Sequence, residues 1–269
     1  MSNMLDRFRA AQAGSIALLR RQAEEGQLPT PWNFSEINAR PGFAAALRTA
    51  GAPAVIAEYK RASPSRGVIN LDLTPADAAR MYADGGAACF SVLTERAHFQ
   101  GDLRFLAEMA FADRPMLRKD FLLDPLQVVE TAATPASALL LIMRMFKGSG
   151  PVREMLDACR QYELEAVCEV FDEADLDLAR EAGAEIIQVN NRDLDRLTTD
   201  LGTSRRLAPR KQAGELWISA SGLDAPEQLE EMADLGFDAV LIGTSLMSQT
   251  NPGEALRRLS AVAKTRNAR

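Results

Sequence analysis

Short apolar runs recur along this sequence at intervals that suit a repeated strand and helix. Eight of them begin 20 to 33 residues apart from Ala54 onward. They are AVIAEY (54–59), AACFSVL (87–93), PMLRK (115–119), ALLLI (138–142), EAVCEV (165–170), EIIQVN (185–190), LWISA (216–220) and DAVLIG (238–243). Most intervals carry an amphipathic helical pattern, such as PVREMLDACRQYE. Continuously apolar strands that alternate with helices predict a parallel sheet with helices on its outside.

Eight strand and helix units favour closure into an α/β fold of the (β/α)8 TIM-barrel type. An open doubly wound sheet is the alternative, but no GxGxxG follows the first strand, which counts against a dinucleotide-binding fold. We predict a single barrel domain over residues 1–269, with residues 1–53 as an N-terminal helical extension. The extension is predicted to cover the active-site mouth, and a peripheral stabilising role is the alternative.

The composition limits the partners of this protein. Its 269 residues are 47% hydrophobic and 25% charged, with a net charge of −6 and interspersed signs. Such a chain lacks the one-sided basic surface that nucleic acids or anionic membranes bind, and its longest apolar stretch is too short to span a bilayer. Three widely spaced cysteines and one histidine, His98, argue against a disulfide framework or a zinc site. We expect a cytoplasmic protein without metal, membrane, nucleic-acid or obligate protein partners.

Polar residues gather at the carboxyl ends of the predicted strands, where barrels of this type place their active sites. Glu58 and Lys60 end the first strand and point to the same side, because side chains alternate along a strand. Lys119 ends the third strand, Glu169 the fifth and Asn190 the sixth. Several charges at one mouth are partly desolvated, which costs free energy unless they pair or bind a ligand. The sequence therefore predicts an acid–base site there.

Each of these residues also has a structural interpretation. Glu58 and Lys60 could form a scaffolding ion pair, and Lys119 could extend to solvent. Glu169 could cap the helix that follows it, and Asn190 could be a turn residue. The mouth is inert only if all of these interpretations hold together.

Glycines and hydroxyl groups follow strands seven and eight, in SASGL and IGTSLM. In barrels, the loops at these positions commonly bind phosphate through backbone N–H groups, and glycine lets the phosphate approach closely. Ser63, after the first strand, can add a hydroxyl group. The pattern indicates a phosphorylated small-molecule ligand, while tight strand-to-helix turns are an alternative that is compatible with it.

Seven motifs, in this order, resemble the indole-3-glycerol phosphate synthases of tryptophan biosynthesis. They are IAEYKRASPSRG, SVLTERAHFQG, LRKDFLLDP, EVFD, VNNRDL, SASGL and GTSLM. The likeness extends over essentially the whole chain, including the N-terminal extension. It implies a carboxy-lyase that closes the pyrrole ring of 1-(2-carboxyphenylamino)-1-deoxyribulose 5-phosphate. Carbon dioxide and water are released, without a metal or an organic cofactor.

The resemblance also implies roles for individual residues. Lys119 would be the general acid that protonates the substrate ketone, and Glu58 with Lys60 would bind the carboxylate and later serve dehydration. Glu169 would stabilise positive charge or exchange protons. Asn190 and Ser221 complete the implied catalytic set. The implied substrate-binding residues are Ser63, Gly222, Gly243 and Thr244 at the phosphate, Phe99 and Phe121 near the aromatic ring, and Arg192, which with Asn190 orients the substrate.

One position departs from the family pattern. The family usually has S-E-S-G at strand seven, whereas this chain has S-A-S-G with Ala220 in place of the glutamate. We expect activity to survive because two other carboxylates are retained. The alternatives are a paralogous phosphosugar-binding barrel with altered or lost activity, and a non-catalytic barrel that supports a partner enzyme. An isomerase of the phosphoribosylanthranilate type is disfavoured, since that family expects a cysteine where Glu58 and Lys60 stand.

Overall fold

The computed structural model describes residues 4–34, 40–193 and 198–266. Its centre is formed by parallel strands that coincide with the predicted apolar runs. They are β1 Ala54–Tyr59, β2 Cys89–Leu93, β3 Met116–Lys119, β4 Ala138–Ile142, β5 Glu165–Val170, β6 Ile186–Asn190, β7 Leu216–Ala220 and β8 Ala239–Ile242. The predicted bounds are met at β1, β4, β5 and β7, the other strands begin one or two residues inside their runs, and β8 also ends one residue early. The runs are continuously apolar because both faces of each strand are covered.

The strands close into a barrel. Each pairs with its neighbours in sequence, and β1 pairs in parallel with both β2 and β8. Ala57, for example, lies opposite Phe90 on one side and Ile242 on the other. Closure leaves the sheet without a free edge. The (β/α)8 prediction is confirmed, and the open-sheet alternative is wrong.

Two helices precede the first strand, and the others connect or follow the strands and mostly cover the outside of the barrel. They are α1 Met4–Glu24, α2 Phe43–Ala50, α3 Pro75–Asp84, α4 Arg96–Phe99, α5 Arg104–Met109, α6 Pro125–Ala132, α7 Ser149–Gln161, α8 Glu173–Ala182, α9 Gly202–Leu207, α10 Pro226–Asp234, α11 Thr244–Met247 and α12 Pro252–Arg266. Asp124 and Gln127 form a capping box at the start of α6. The box satisfies N–H groups that the helix leaves unpaired and so fixes where the loop after β3 ends. In the part of the chain that the structure describes, no helix is long and apolar enough to cross a membrane.

The inward-facing residues change character along the barrel axis. Near the amino ends of the strands they are apolar and buried, as at Ile56 and Leu117. Two residues further along the same strands, the inward positions carry Glu58 and Lys119 instead. Because side chains alternate with a period of two, one strand contributes both to the apolar floor and to the charged mouth. The floor closes the barrel beneath the charged groups.

The two helices of the extension lie at opposite ends of the barrel. In α2, Phe43 and Leu47 pack against the amino ends of the strands, and Glu165 accepts a hydrogen bond from the Ala44 N–H at 3.1 Å. In α1, Phe8 faces the carboxyl ends and belongs to the wall of the mouth. Thus α1 is the part of the extension at the predicted site, and α2 plugs the other end.

A buried polar network fixes α1 on the barrel. Gln12 donates from Nε2 to Asp120 Oδ1 at 2.8 Å, and Gln127 donates to Gln12 Oε1 at 2.9 Å. Asp120 also accepts a hydrogen bond from Arg118 at 3.3 Å. All four side chains are buried. Since a satisfied buried network is costly to rearrange, it holds α1 beside Lys119, the residue that precedes Asp120.

The cysteines belong to the core. Cys89, Cys159 and Cys168 are buried free thiols. Burial raises the pKa of Cys159 and of Cys168 to about 12. Because the thiolate is the reactive form of cysteine, these two side chains serve packing at neutral pH.

Candidate active site

A cavity of about 840 Å³ opens at the carboxyl ends of the strands. Cavities of this size can enclose most of a small organic ligand. The site residues predicted from the sequence all line it: Glu58, Lys60, Ser63, Phe99, Lys119, Phe121, Glu169, Asn190, Arg192, Ser221, Gly222, Gly243 and Thr244. Barrel closure thus brings together residues that are far apart in the sequence.

Two lysines and two glutamates form a compact cluster in the cavity. Lys60 Nζ lies 2.7 Å from Glu58 Oε1, and Lys119 Nζ lies 3.9 Å from Glu58 Oε2. Lys119 Nζ is also 3.7 Å from Glu169 Oε2. The glutamates are only 3% and 2% exposed. Lys119 therefore stands between two buried carboxylates, and the interpretation in which it extends to solvent is wrong.

Glu58 is held in its ionised form. Burial by itself would raise the pKa of Glu58, but the charges of Lys60 and Lys119 and hydrogen bonds from Lys60 and Ser91 bring it below its usual value. Ser91, the residue opposite Glu58 on β2, donates from Oγ to Glu58 Oε2 at 3.3 Å. A carboxylate with these partners is a fixed negative charge that keeps both ammonium groups in place. The Glu58–Lys60 ion pair exists, and it forms part of the cavity wall.

Glu169 points into the barrel. The helix that follows it, α8, is capped by Asp172, whose side chain accepts a hydrogen bond from the Asp175 N–H. Glu169 instead accepts a hydrogen bond from Gln188 Nε2 at 2.5 Å. The capping interpretation is wrong because α8 begins only at Glu173, beyond the reach of the inward-facing carboxylate.

The end of β6 supplies one side chain to the cavity and one to the scaffold. Asn190 Oδ1 accepts hydrogen bonds from Ser221 Oγ and from the Arg192 N–H, both at 2.9 Å. Asn191 turns away and donates to Ser219 Oγ at 3.0 Å. Ser221 has a φ of +75°, a conformation that serine seldom adopts and that is found preferentially at functional sites. It aims the Ser221 hydroxyl at Asn190, so both side chains act as one polar unit in the cavity.

Two glycines provide space at the strand ends. A Cβ atom at Gly243 would lie 2.4 Å from Glu58 Oε1, so glycine lets this carboxylate take its place. Gly222 has a φ of +79°, and a Cβ atom there would lie 2.4 Å from the side chain of Thr199. From the sequence, both glycines are predicted to let a phosphate come close to the backbone. The structure adds a steric reason for glycine at each position.

The loop after β1 folds as a short hairpin that pairs Ala62–Ser63 with Gly67–Val68. Ser63 is buried, and its Oγ lies 3.4 Å from Ser65 Oγ. Arg192, from the loop after β6, donates from Nη1 to Ser65 Oγ at 3.3 Å. The two loops therefore meet across the cavity and place Ser63 and Arg192 on the same side of it.

Three phenylalanines form an apolar wall. Phe8 and Phe121 stack with their ring centroids 3.8 Å apart, and Phe99 lies 6.0 Å from Phe121. The motifs predict Phe99 and Phe121, but the sequence reasoning misses Phe8. In the amphipathic pattern of α1, a residue that faces the cavity looks the same as one that only packs the helix. The tertiary structure alone reveals this contribution of the extension.

Ala220 ends β7 and is buried in the cavity wall, opposite Asn190 on β6. This is the position at which the motif resemblance leads us to expect a glutamate. Its methyl group adds no charge, so Glu58 and Glu169 are the carboxylates that face Lys119.

The closed barrel and its mouth define a (β/α)8 protein with lysine and glutamate side chains clustered in its cavity. Solved structures share the barrel fold. One is 3-hexulose-6-phosphate synthase from Salmonella typhimurium, with a TM-score of 0.62 and 14% identity over 79% of this chain and 99% of that chain. Another is thiamine phosphate pyrophosphorylase from Pyrococcus furiosus, with a TM-score of 0.57 and 13% identity over 81% and 98%. At these identities the likeness shows the fold alone.

Sequence comparison identifies the family. A model of the indole-3-glycerol phosphate synthase family matches residues 5–259. Curated relatives of that name include a protein of Aromatoleum aromaticum, 39% identical over 96% of this chain and 99% of the relative. Another, from Chromobacterium violaceum, is 41% identical over 82% of this chain and 84% of the relative. The chain belongs to the indole-3-glycerol phosphate synthase family, the carboxy-lyases of tryptophan biosynthesis that its motifs predicted.

Proposed function

We propose that the cavity converts 1-(2-carboxyphenylamino)-1-deoxyribulose 5-phosphate to indole-3-glycerol phosphate, carbon dioxide and water. The observation that carries the proposal is the placement of Lys119 between Glu58 and Glu169 in a cavity with an aromatic wall and glycine-containing loops. The lysine and glutamates correspond to the reacting ketone and carboxylate of this substrate. The aromatic wall corresponds to its aromatic ring, and the glycine-containing loops correspond to its phosphate.

Lys119 is the general acid of ring closure in this proposal. When the ring carbon that bears the carboxylate attacks the ketone carbon, the carbonyl oxygen gains negative charge and needs a proton. An ammonium group held by two carboxylates can deliver that proton and stabilise the charge as it develops. Glu169 faces the positive charge that the attack leaves on the substrate nitrogen and ring. Loss of carbon dioxide then returns the bonding electrons to the ring.

Lys60 and Glu58 act on the substrate carboxylate and on dehydration. Lys60 supplies positive charge at the cavity wall and is only partly exposed, at 14% of its side chain. Dehydration breaks the bond to the former ketone oxygen, which leaves as water once it is protonated, and a base removes a proton from the new ring. A lysine and a glutamate in direct contact provide the acid and the base for this step.

The phosphate is bound where the loops after β1, β7 and β8 meet. Backbone N–H groups at Gly222, Gly243 and Thr244, with the hydroxyl group of Ser63, are the donors. Arg192 and Asn190 border the same region and orient the substrate between its phosphate and its ketone. This part of the proposal is supported by the shared cavity and by the glycines that keep side chains out of it.

We expect Gly243→Ala to lower kcat by about tenfold to a hundredfold, because the new methyl group displaces the Glu58 carboxylate from its position beside Lys60. Steady-state kinetics should be measured beside Gly14→Ala, in which the added Cβ atom meets nothing within 4 Å. The Gly14→Ala enzyme is expected to keep the wild-type rate. A folded Gly243→Ala enzyme with unchanged kcat would show that the position of Glu58 does not matter for turnover.

We expect Phe8→Ala to raise KM by about tenfold. The substitution removes an aromatic side chain that is stacked on Phe121 and borders the part of the cavity proposed to bind the aromatic ring of the substrate. The matched control is Phe111→Ala, since Phe111 is 56% exposed and lies outside the cavity. An unchanged KM in a Phe8→Ala protein that retains α1, as judged by circular dichroism, would assign Phe8 to helix packing alone.

The proposal is tested by incubating the protein with the carboxyphenylamino substrate and following indole fluorescence. We expect product from the wild-type chain, and a rate for Ala220→Glu within about tenfold of it, because Glu58 and Glu169 already flank Lys119. The paralogous-barrel alternative makes the opposite prediction. It requires a folded wild-type protein that gives no product and recovers turnover when the strand-seven carboxylate is restored in Ala220→Glu.

The proposed enzyme works in the cytoplasm without a cofactor, a nucleic acid, a membrane or an obligate protein partner. Its net charge of −6 and its free, buried cysteines support this setting, because reduced thiols are typical of cytosolic proteins. The acid–base groups that the reaction needs are all side chains of the cavity.

A further inference from the structure

Gln188 is a buried polar side chain inside the barrel. It lies on the inward face of β6 between Ile186 and Asn190 and has no exposed surface. In register it stands opposite Glu169 on β5 and Ile218 on β7. It thus has a carboxylate of the mouth on one side and an apolar residue on the other.

The Gln188 amide is directed at Glu169. Its Nε2 donates to Glu169 Oε2 at 2.5 Å, and this is the same oxygen that lies 3.7 Å from Lys119 Nζ. An N–H donor favours the ionised carboxylate, which only accepts hydrogen bonds. The opposite amide orientation would set two oxygen acceptors against each other.

The other end of the amide is unpaired. Gln188 Oε1 is a buried oxygen without a hydrogen-bond partner in the described structure, a property it shares with Ser137 Oγ. An unpaired buried acceptor costs free energy that an apolar side chain of similar size would avoid. Packing therefore gives no reason for glutamine at this position, whereas the hydrogen bond to Glu169 does.

We propose that Gln188 is a positioning residue whose hydrogen bond holds the Glu169 carboxyl group in place and aims its Oε2 at Lys119. The proposal rests on the function proposed above for the Lys119–Glu169 pair. Gln188 does not touch the substrate, because it lies beneath the cavity wall with no exposed surface. Its effect passes through one oxygen atom of Glu169.

The charged groups around Glu169 come from two other strands. Lys119 approaches from β3, and Glu58 with Lys60 stands behind it on β1. The adjacent strand β4 contributes the apolar Leu140 to the cavity wall. Gln188 is thus the neutral donor among these partners, and its replacement leaves the charges in place.

The test compares Gln188→Met, which has a similar size and no donor, with the wild type. We expect kcat to fall by roughly tenfold to a hundredfold, with KM within about threefold, because a hydrogen bond to a charged group is lost. The low-pH limb of the pH–rate profile should move up by about one pH unit. Ser137→Ala is the matched control: it removes the other unpaired buried oxygen and should leave kcat and the profile unchanged.

A second variant and a measurement without substrate complete the test. Gln188→Glu has the same shape but donates only when protonated, so its activity relative to the wild type should fall as the pH rises. In substrate-free protein labelled with [13C]glutamate, the Glu169 carboxyl signal is assigned by its absence in Glu169→Gln. Its chemical shift should differ between Gln188→Met and the wild type, because the hydrogen bond from Gln188 Nε2 is lost.

The outcomes separate this inference from the proposed function. A changed Glu169 carboxyl signal in Gln188→Met, in a protein that makes no indole product, would leave the positioning role standing and reject the function. An active enzyme whose Gln188→Met variant keeps the wild-type kcat, pH profile and Glu169 carboxyl signal would overturn the positioning role. Should Gln188→Met not fold, an unchanged pH profile in Gln188→Glu would have the same meaning.

Discussion

Replacement of Lys119 by alanine is expected to lower kcat by about 10²- to 10⁴-fold, the range associated with the loss of a general acid. The ammonium group stands 3.9 Å from Glu58 and 3.7 Å from Glu169, so the variant lacks the proton donor that lies between these two carboxylates. Substrate binding should change less, because the aromatic wall and the phosphate loops remain. Steady-state fluorescence kinetics on the folded variant measures both quantities.

The control for Lys119→Ala is Lys211→Ala. Lys211 also pairs with a carboxylate, at 2.7 Å from Asp238, but it lies outside the cavity. Removal of the Lys211 side chain should leave kcat unchanged. That result would show that the fall in kcat of Lys119→Ala does not arise from removing any lysine that pairs with a carboxylate. Retention of more than about a tenth of the wild-type kcat by folded Lys119→Ala would reject Lys119 as the general acid, given the size of such effects.

Glu58→Gln is expected to have the second largest effect, with kcat lower by about a hundredfold. The amide keeps the shape of the side chain but removes the charge that holds Lys60 at 2.7 Å and Lys119 at 3.9 Å. Two ammonium groups then face each other without this carboxylate between them, and the dehydration pair loses its base. Glu231→Gln is the control, because it neutralises a glutamate paired with Arg205 on the surface, where ion pairs contribute little.

The same variant tests the charge state of Glu58. Its lysine partners lower its pKa below the usual 4.5 against the opposing effect of burial. A lowered pKa in the folded state stabilises the fold at pH values above 4.5, and this stabilisation is lost as the pH falls through the folded-state pKa. Urea unfolding should therefore show the wild type to be more stable than Glu58→Gln at pH 7, with a difference that shrinks in acid. A difference that does not depend on pH would contradict an ionised Glu58.

Much of the fold is readable in the sequence because a barrel strand is covered on both faces. The run ALLLI predicts β4 to the residue, since every position in Ala138–Ile142 is buried. Charges at strand ends also indicate where the active site lies. Glu58 and Lys119 continue the inward face of their strands, which is apolar two residues earlier. Motif resemblance extends this to loop residues such as Ser63 and Thr244, which periodicity alone would leave as turns.

Other features depend on contacts between distant segments. The pattern of the extension gives two helices, but it does not say that α2 plugs the amino end of the barrel while α1 reaches the mouth. Gln12 appears as a polar residue of an amphipathic helix, and only its contact with Asp120 shows that it is buried. Gln188 belongs to an apolar run, and its hydrogen bond to Glu169 depends on the register between β5 and β6.

The sequence by itself determined the strands, the side chains that point inward and the family to which the motifs belong, because local periodicity and residue order carry this information. The tertiary structure decided which inward side chains meet. Closure and strand register set Lys119 between Glu58 and Glu169, Gln188 beneath Glu169 and the position of Ala220 in the cavity wall. The docking of α1 added Phe8. These neighbours follow from the geometry of a closed sheet, in which distances across the barrel do not depend on separation along the chain.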